Sequence, residues 1–366
     1  MKIGVDVREL QRATQTGIGR VVENFISETP SLDPDARLFL YGDNTTRTDL
    51  EGERTQVRVL GQPATVWFDQ VALPVALARD GVDVFFSPYY KAPLAAPCPS
   101  VVTIHDVLFL KVGGRRVKNL LFKPWARLLA SRVARVLTDS EHSRHDLEDT
   151  LGFHPSRIEV IPLGVSSTFS PNALEHSPRV AEKLGLSRDY VLSVTNFRAH
   201  KNNEFLVRAF ASLASQEPNV DLVLAGRAAV STRRLEDLID RLGLGGRVLL
   251  PGLIADEDLP ALYAGARVFA FPSLYEGFGL PVLEAMASGV PVACSKASSL
   301  PEVASGAALL LDPNTPREWT EGLHRLLTDE PQRKKLVEAG LTRAGDFSWR
   351  NSAARILSVL EEVSKR

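Results

Sequence analysis

The sequence predicts an α/β protein made of two doubly wound domains, each a parallel sheet with helices on its faces. Three observations lead there. The chain has 366 residues, too many for one ordinary core and enough for two domains of common size. Short apolar, β-branched runs alternate with longer amphipathic segments, the pattern of right-handed βαβ units. Periodicity lapses over IPLGVSSTFSPNALEHSP at 161–178, where Pro, Ser and Gly cluster, and that stretch reads as a linker.

In chain order, the strand candidates of the first half are 2–7, 37–41, 56–60, 83–87, 100–105, 134–138 and 157–161. Those of the second half are 190–195, 220–225, 247–250, 267–271, 290–294 and 308–311. Between them run helical segments such as 202–215 and 231–242. The latter is expected to start on Ser231 or Thr232 as N-cap and to stop near Gly243. The C-terminal segment carries Ala353, Ile356, Leu357 and Leu360 on one stripe, as a packed helix does. Ligands of such sheets bind at the carboxyl ends of the strands, so two of them facing each other would share a cleft.

Composition narrows the class. Apolar residues make up 44% and charged residues 24% of the chain, and the net charge is −1. These are values of a globular protein with no global attraction for nucleic acid. Cys98 and Cys294 stand far apart, as free thiols of a reducing compartment do. The chain opens directly on a strand, and no apolar run approaches the roughly 20 residues that span a bilayer. A cytoplasmic location is the expectation, with a surface attachment still open.

The most informative stretch is FPSLYEGFGLPVLEAMASGVPVACSKASSLPE at 271–302. A buried strand stops at Pro272, and a loop with Gly277 and Gly279 leads to Pro281, inside the first turn of a helix. Backbone amides at such a helix start make an anion site, with phosphate as the expected anion. Glu276 and Glu284 frame it.

Taken together, TGIGR at 16–20, VTIHDV at 102–107, TDSEHSRHDL at 138–147, IPLGV at 161–165, NFRAHKN at 196–202, LAGR at 224–227 and EGFGLPVLEA at 276–285 resemble glycosyltransferase family 4. The resemblance runs the length of the chain. It is strongest to bacterial mannosyltransferases of O-antigen and surface polysaccharide assembly. It implies the GT-B fold, with two Rossmann-like domains about a cleft and a C-terminal helix that crosses back to the first. The acceptor domain would be 1–168 plus 350–366, and the nucleotide-sugar donor domain 169–349.

EGFGLPVLE resembles the family's two-glutamate signature. The resemblance then places Glu284 on the nucleotide ribose and Glu276 near the donor sugar and diphosphate. The backbone at Gly277, Phe278, Gly279 and Leu280 would hold phosphate. Lys201 matches the family's phosphate lysine, and Arg198 stands three residues before it, as in members reading NLRPHKN. Many members place the arginine after a strand-ending glycine, where this chain has Thr195 and Asn196. Charge-assisted bonds of this kind contribute about 1.5–3 kcal/mol each. Gly17 and Gly19, in a loop expected to enter a helix at about Arg20, would lie over donor phosphate or acceptor. His105, at the end of a strand, matches the histidine that contacts the donor sugar; Asp106, Ser140 and Glu302 match positions of weaker role.

No metal or other cofactor is expected. The DxD strings at Asp33–Asp35 and Asp256–Asp258 fall in a turn and at a helix start, where acids cap. The resemblance implies retention of anomeric configuration. The expected partners are a GDP- or UDP-sugar, with GDP-mannose favoured, and a glycan or polyprenyl-diphosphate-linked acceptor. Residues 111–136 contain eight Lys or Arg and no acid, interleaved with Leu, Phe and Trp125. That pattern fits an anionic membrane surface, the anionic acceptor, or a solvated helix face. A UDP-glucose-type donor, a GT-B-fold epimerase, a sugar phosphorylase and a non-catalytic binding protein are the alternatives.

Overall fold

The computed structural model describes residues 1–11, 16–47, 49–61, 64–111, 116–227 and 230–365, and leaves the side chains of 116–123, 230 and 231 outside that description. The chain divides into two compact units: Met1–Gly164 with Ser348–Arg366, and Val165–Phe347.

The first unit is built on β1 (Lys2–Asp6), β2 (Arg37–Gly42), β3 (Thr55–Val59), β4 (Val84–Ser87), β5 (Ser100–Thr103), β6 (Arg135–Thr138) and β7 (Ile158–Val160). They form one sheet in the order β3-β2-β1-β4-β5-β6-β7, and every pairing is parallel. The second unit holds β8 (Asp189–Val194), β9 (Val220–Ala225), β10 (Val248–Gly252), β11 (Val268–Phe271), β12 (Val292–Ser295) and β13 (Leu309–Leu311). Its order is β10-β9-β8-β11-β12-β13, again all parallel. All thirteen sequence-read strands are present. Central strands such as β4, β11 and β12 are buried along their whole length, which is why they read as unbroken apolar runs.

Both orders reverse direction once, between β1 and β4 in the first unit and between β8 and β11 in the second. Loops leaving the carboxyl ends of those strand pairs diverge and open a crevice, so these are the places to look for a site.

The Trp349–Ser364 helix belongs to the first unit. Ala353, Ile356, Leu357, Leu360 and Val363 join Val22, Phe25 and Ile26 of the Gly17–Leu32 helix in one core, and Ser352 Oγ donates to the Pro162 carbonyl at 2.7 Å. The second core gathers Leu206, Phe210 and Leu213 of the Asn203–Gln216 helix with Trp319 and Leu323.

Three boundaries differ from the sequence reading. The division falls inside the stretch read as a linker, 161–178, but at its start: the units divide at Gly164, and from Val165 the chain folds onto the second unit, with Phe169 packed edge-on against Tyr263 at 5.6 Å. The Gly17–Leu32 helix starts three residues before Arg20, because Thr16 caps it by accepting from Gly19 N. In the Val230–Arg241 helix, the N-cap reading of Ser231 lies outside the described side chains, and Thr232 stands inside the helix rather than at its cap.

Candidate functional site

At the switch point of the second unit, the loops after β8 and β11 are sewn together. His200 carbonyl accepts from Leu274 N at 2.7 Å and from Ser273 Oγ at 3.1 Å. Above this seam Lys201 Nζ donates to Glu276 Oε1 at 2.7 Å, and the ammonium lies 4.9 Å from the centre of the Phe271 ring. Both side chains are largely withdrawn from solvent, at 11% and 13% exposure. Three non-glycine residues with positive φ hold the surrounding backbone: Phe197 at 53°, Asn202 at 59° and Ser298 at 51°. Such conformations cost about 1–3 kcal/mol each and persist where structure over-determines them. Asn202 is tied by Nδ2 to the Pro313 carbonyl at 2.8 Å, and Ser298 Oγ accepts from Glu276 N at 2.9 Å.

Gly279 ends the loop at φ 116° and precedes the Leu280–Ala287 helix, which has no side-chain cap. A Cβ at Gly279 would stand 2.6 Å from Leu300 Cδ2, so both conformation and space demand glycine. Ser299 Oγ pins the loop by donating to the carbonyls of Glu276 at 3.1 Å and Phe278 at 2.7 Å. Held this way, an uncapped helix start offers backbone N–H groups and the positive end of the helix dipole to an anion. Glu284, in the second turn, is only 4% exposed and accepts from Tyr263 Oη at 2.9 Å.

Arg198 is exposed beside this pair. Burial lowers the His200 imidazole to about 4, with Lys201 and Arg198 adding to the shift and Glu276 opposing it. All three charges therefore act on one spot. Thr195, the residue that departs from the family pattern, has its carbonyl oxygen 1.7 Å from where a Cβ of Gly226 would lie. The glycine of LAGR thus serves the close approach of the loop after β8.

The first unit has its own cluster at the carboxyl ends of β4, β5 and β6. His105 Nδ1 lies 2.7 Å from Asp139 Oδ2 and Nε2 lies 3.0 Å from the Pro88 carbonyl. Two acceptors require two N–H donors, so the partners assign a protonated ring. Burial works against that charge, but Asp139, Asp106 and the carbonyl outweigh it and the histidine titrates above its ordinary value. Both nitrogens are engaged within the chain. Asp106 Oδ1 accepts from Leu108 N at 2.8 Å, and Ser140 caps the Glu141–Leu151 helix.

The two sequence-predicted glycines of this unit part company. Among the described residues, nothing stands within 4 Å of where a Cβ of Gly17 would lie. Gly19 N donates to Thr16 Oγ1 at 2.9 Å and its Cβ position is 3.3 Å from the Glu9 carbonyl, so Gly19 serves the helix start.

Sequence reasoning missed a buried polar knot at the same edge. Arg8 bridges Asp6 at 2.5 Å and Asp69 at 2.6 Å, Tyr89 Oη donates to Asp6 Oδ1 at 2.7 Å, and the guanidinium lies 3.9 Å over the Phe68 ring. Asp69 sits in the π-helical turn Phe68–Ala72; burial raises its pKa against the pull of Arg8. The available signal was the D-x-R string closing the first strand. Asp139 was passed over within TDS.

Carboxylates of both DxD strings have partners within the chain. Asp33 Oδ1 accepts from Asp35 N at 3.0 Å. Asp258 makes no side-chain cap, contrary to the sequence reading, because Arg179 at 2.6 Å and Lys183 at 2.5 Å claim it. Among the described residues, no helix is long and apolar enough to cross a membrane.

Comparison with known proteins fits this geometry. The model described as Glycosyltransferase Family 4 matches residues 16–169, and that described as Glycosyl transferases group 1 matches 178–343. The chain is 35% identical over 225 residues to the O-antigen chain mannosyltransferase B of Escherichia coli, covering 61% of this chain and 59% of that one. It is 33% identical over 251 residues to the MMP alpha-(1->4)-mannosyltransferase of Mycolicibacterium hassiacum, covering 67% and 58%. The chain thus spans under two thirds of the length of these relatives. Among solved structures, sucrose-phosphate synthase from Thermosynechococcus elongatus superposes with a TM-score of 0.82 at 20% identity, covering 99% and 98% of the two chains. Anabaena HepE in complex with UDP and glucose gives 0.79 at 22%, covering 98% and 99%. With both family domains in tandem order and this fold, the chain belongs to the family 4 glycosyltransferases of GT-B fold.

Proposed function

We propose that the protein is a retaining glycosyltransferase that needs no metal and moves a hexose, mannose from GDP-mannose, to a glycan or lipid-linked acceptor in surface-polysaccharide synthesis. The observation that carries the reading is the Lys201–Glu276 pair at the β8/β11 switch point, next to an uncapped helix start. In this reading the diphosphate takes Lys201 as its counter-ion, with Arg198 beside it, and the 277–280 backbone receives phosphate oxygen. Glu276, released from Lys201, turns to the sugar, and Glu284 takes the ribose. Positive groups aimed at a leaving diphosphate act most strongly as its charge develops. The mannosyl donor is supported by the relatives named above.

The sugar C1–O bond to diphosphate breaks, the acceptor oxygen bonds to C1 on the same face, and its proton passes to the departing phosphate oxygen. His105 is assigned to the transferred sugar, where Nε2 would exchange the Pro88 carbonyl for a hydroxyl. The reading without metal is supported by the commitment of Asp258 to Arg179 and Lys183. Incubation with a panel of nucleotide sugars in EDTA tests it: slow release of nucleoside diphosphate, fastest from GDP-mannose, is expected. Epimerised sugar, or no turnover of any donor, contradicts it.

Within the basic stretch 111–136, residues 112–115 and the side chains of 116–123 lie outside the described set, while Ala126, Leu129, Val133 and Val136 are buried. Its composition supports binding to an anionic membrane face, each near-surface charge contributing about 1 kcal/mol. Salt-sensitive flotation with anionic vesicles is the expected result, and flotation that is absent or indifferent to salt contradicts it.

A further inference from the structure

We propose that Tyr263 is a positioning residue for the nucleotide ribose, acting through Glu284; the inference rests on the donor-site reading above. A glutamate carboxylate turns freely about its last torsion, a broad two-fold well. Glu284 sits on the Leu280–Ala287 helix, where burial makes an unguided orientation costly. The Tyr263 phenol donates its single proton to Oε2 at 2.9 Å. A carboxylate has about four acceptor sites, so a phenol can fix its plane while other sites accept from hydroxyls.

Tyr263 is itself held rigidly. It is fully buried, its ring 5.6 Å edge-on from Phe169 and 5.3 Å from Phe269. Its helix, Leu259–Ala264, is anchored by Asp258, which Arg179 and Lys183 clamp from the Ser177–Leu184 helix. A tyrosine that only filled space would need no donor aimed at this oxygen. With its proton donated to Glu284, Tyr263 bears on a ligand through that carboxylate. The chemical feature it serves is a vicinal diol, the 2′,3′-hydroxyls of a ribonucleotide.

The experiment compares affinities for a ribonucleoside diphosphate and its 2′-deoxy and 3′-deoxy forms, by calorimetry, for wild type, Tyr263→Phe and Glu284→Gln, with thermal melts to confirm folding. The probes are GDP and UDP with their deoxy counterparts. Wild type is expected to prefer the ribo form, Glu284→Gln to lose that preference, and Tyr263→Phe to narrow it about tenfold, the scale of one charge-assisted bond. Affinity for the deoxy forms should not change in Tyr263→Phe. Equal weakening of ribo and deoxy forms in that variant, or no change, overturns the role of Tyr263 while the donor-site reading stands. A ribo preference that survives Glu284→Gln overturns both, because the diol is then read elsewhere.

Discussion

Lys201 Nζ donates to Glu276 Oε1 at 2.7 Å, joining the loop after β8 to the loop after β11 at the point where the sheet order reverses. A lysine and a glutamate 75 positions apart are brought together there, each about nine-tenths withdrawn from water. In the proposed reading, this pair holds a cation close to an uncapped helix start and gives it up to the diphosphate when the donor binds.

Replacing Lys201 with Ala removes that cation and leaves Glu276 without its partner. Loss of one electrostatic stabiliser of developing charge costs about 10²–10³ in rate, and kcat/KM for the nucleotide sugar should fall on that scale. Glu276→Gln should weaken donor affinity less than Lys201→Ala, since it removes a competitor for the ammonium. Steady-state kinetics with both variants checks the ordering.

Gly279→Ala puts a methyl 2.6 Å from Leu300 Cδ2 in a backbone held at φ 116°. Destabilisation of about 1–3 kcal/mol is expected, read from urea unfolding, together with lost nucleotide-sugar binding. Gly17→Ala, where a Cβ meets none of the described residues within 4 Å, should leave stability within about 0.5 kcal/mol.

His105 and His200 should bend the stability profile in opposite directions. Folding raises the His105 affinity for a proton. Its contribution is therefore complete below about 6.5, where a free imidazole titrates, and disappears as pH rises through the folded value. His200 is lowered to about 4, so it favours the folded state above 6.5 and loses about 3 kcal/mol as pH falls toward 4. Melting temperature across pH 4–9 should fall less on the alkaline side in Asp139→Asn and less on the acid side in His200→Gln.

Arg8→Ala leaves Asp6 and Asp69 buried without their cation. Removing one partner of a buried pair costs about 3–5 kcal/mol, so a large drop in melting temperature is expected. Asp69→Asn keeps Asp6 paired with Arg8 at 2.5 Å and should cost less.

The sheets were fully legible in the sequence, because strands buried on both faces read as unbroken apolar runs such as VFAF and VACS. Local chemistry hid most of the misplaced boundaries. Thr16 captures Gly19 N and starts its helix early, and Phe169 docks on Tyr263 and turns an apparent linker into folded chain. The loop at 276–284 was visible because a strand end and a glycine before a helix announce an anion site, whereas Lys201, Arg198 and His105 were read through the family resemblance. Their partners were not visible. Tyr263 lies 21 positions from Glu284, Asp139 lies 34 from His105, and Asp69 lies 61 from Arg8. Pairing across such separations is decided by strand order, which no local window contains.

The most direct test of the central claim is the dissociation constant for GDP-mannose of wild type and of Lys201→Ala, measured by calorimetry in EDTA. Binding by the wild type and at least about tenfold weaker binding by the variant are the results this account predicts. Equal affinity of the two proteins, or no binding of any nucleotide sugar by the wild type, would contradict it.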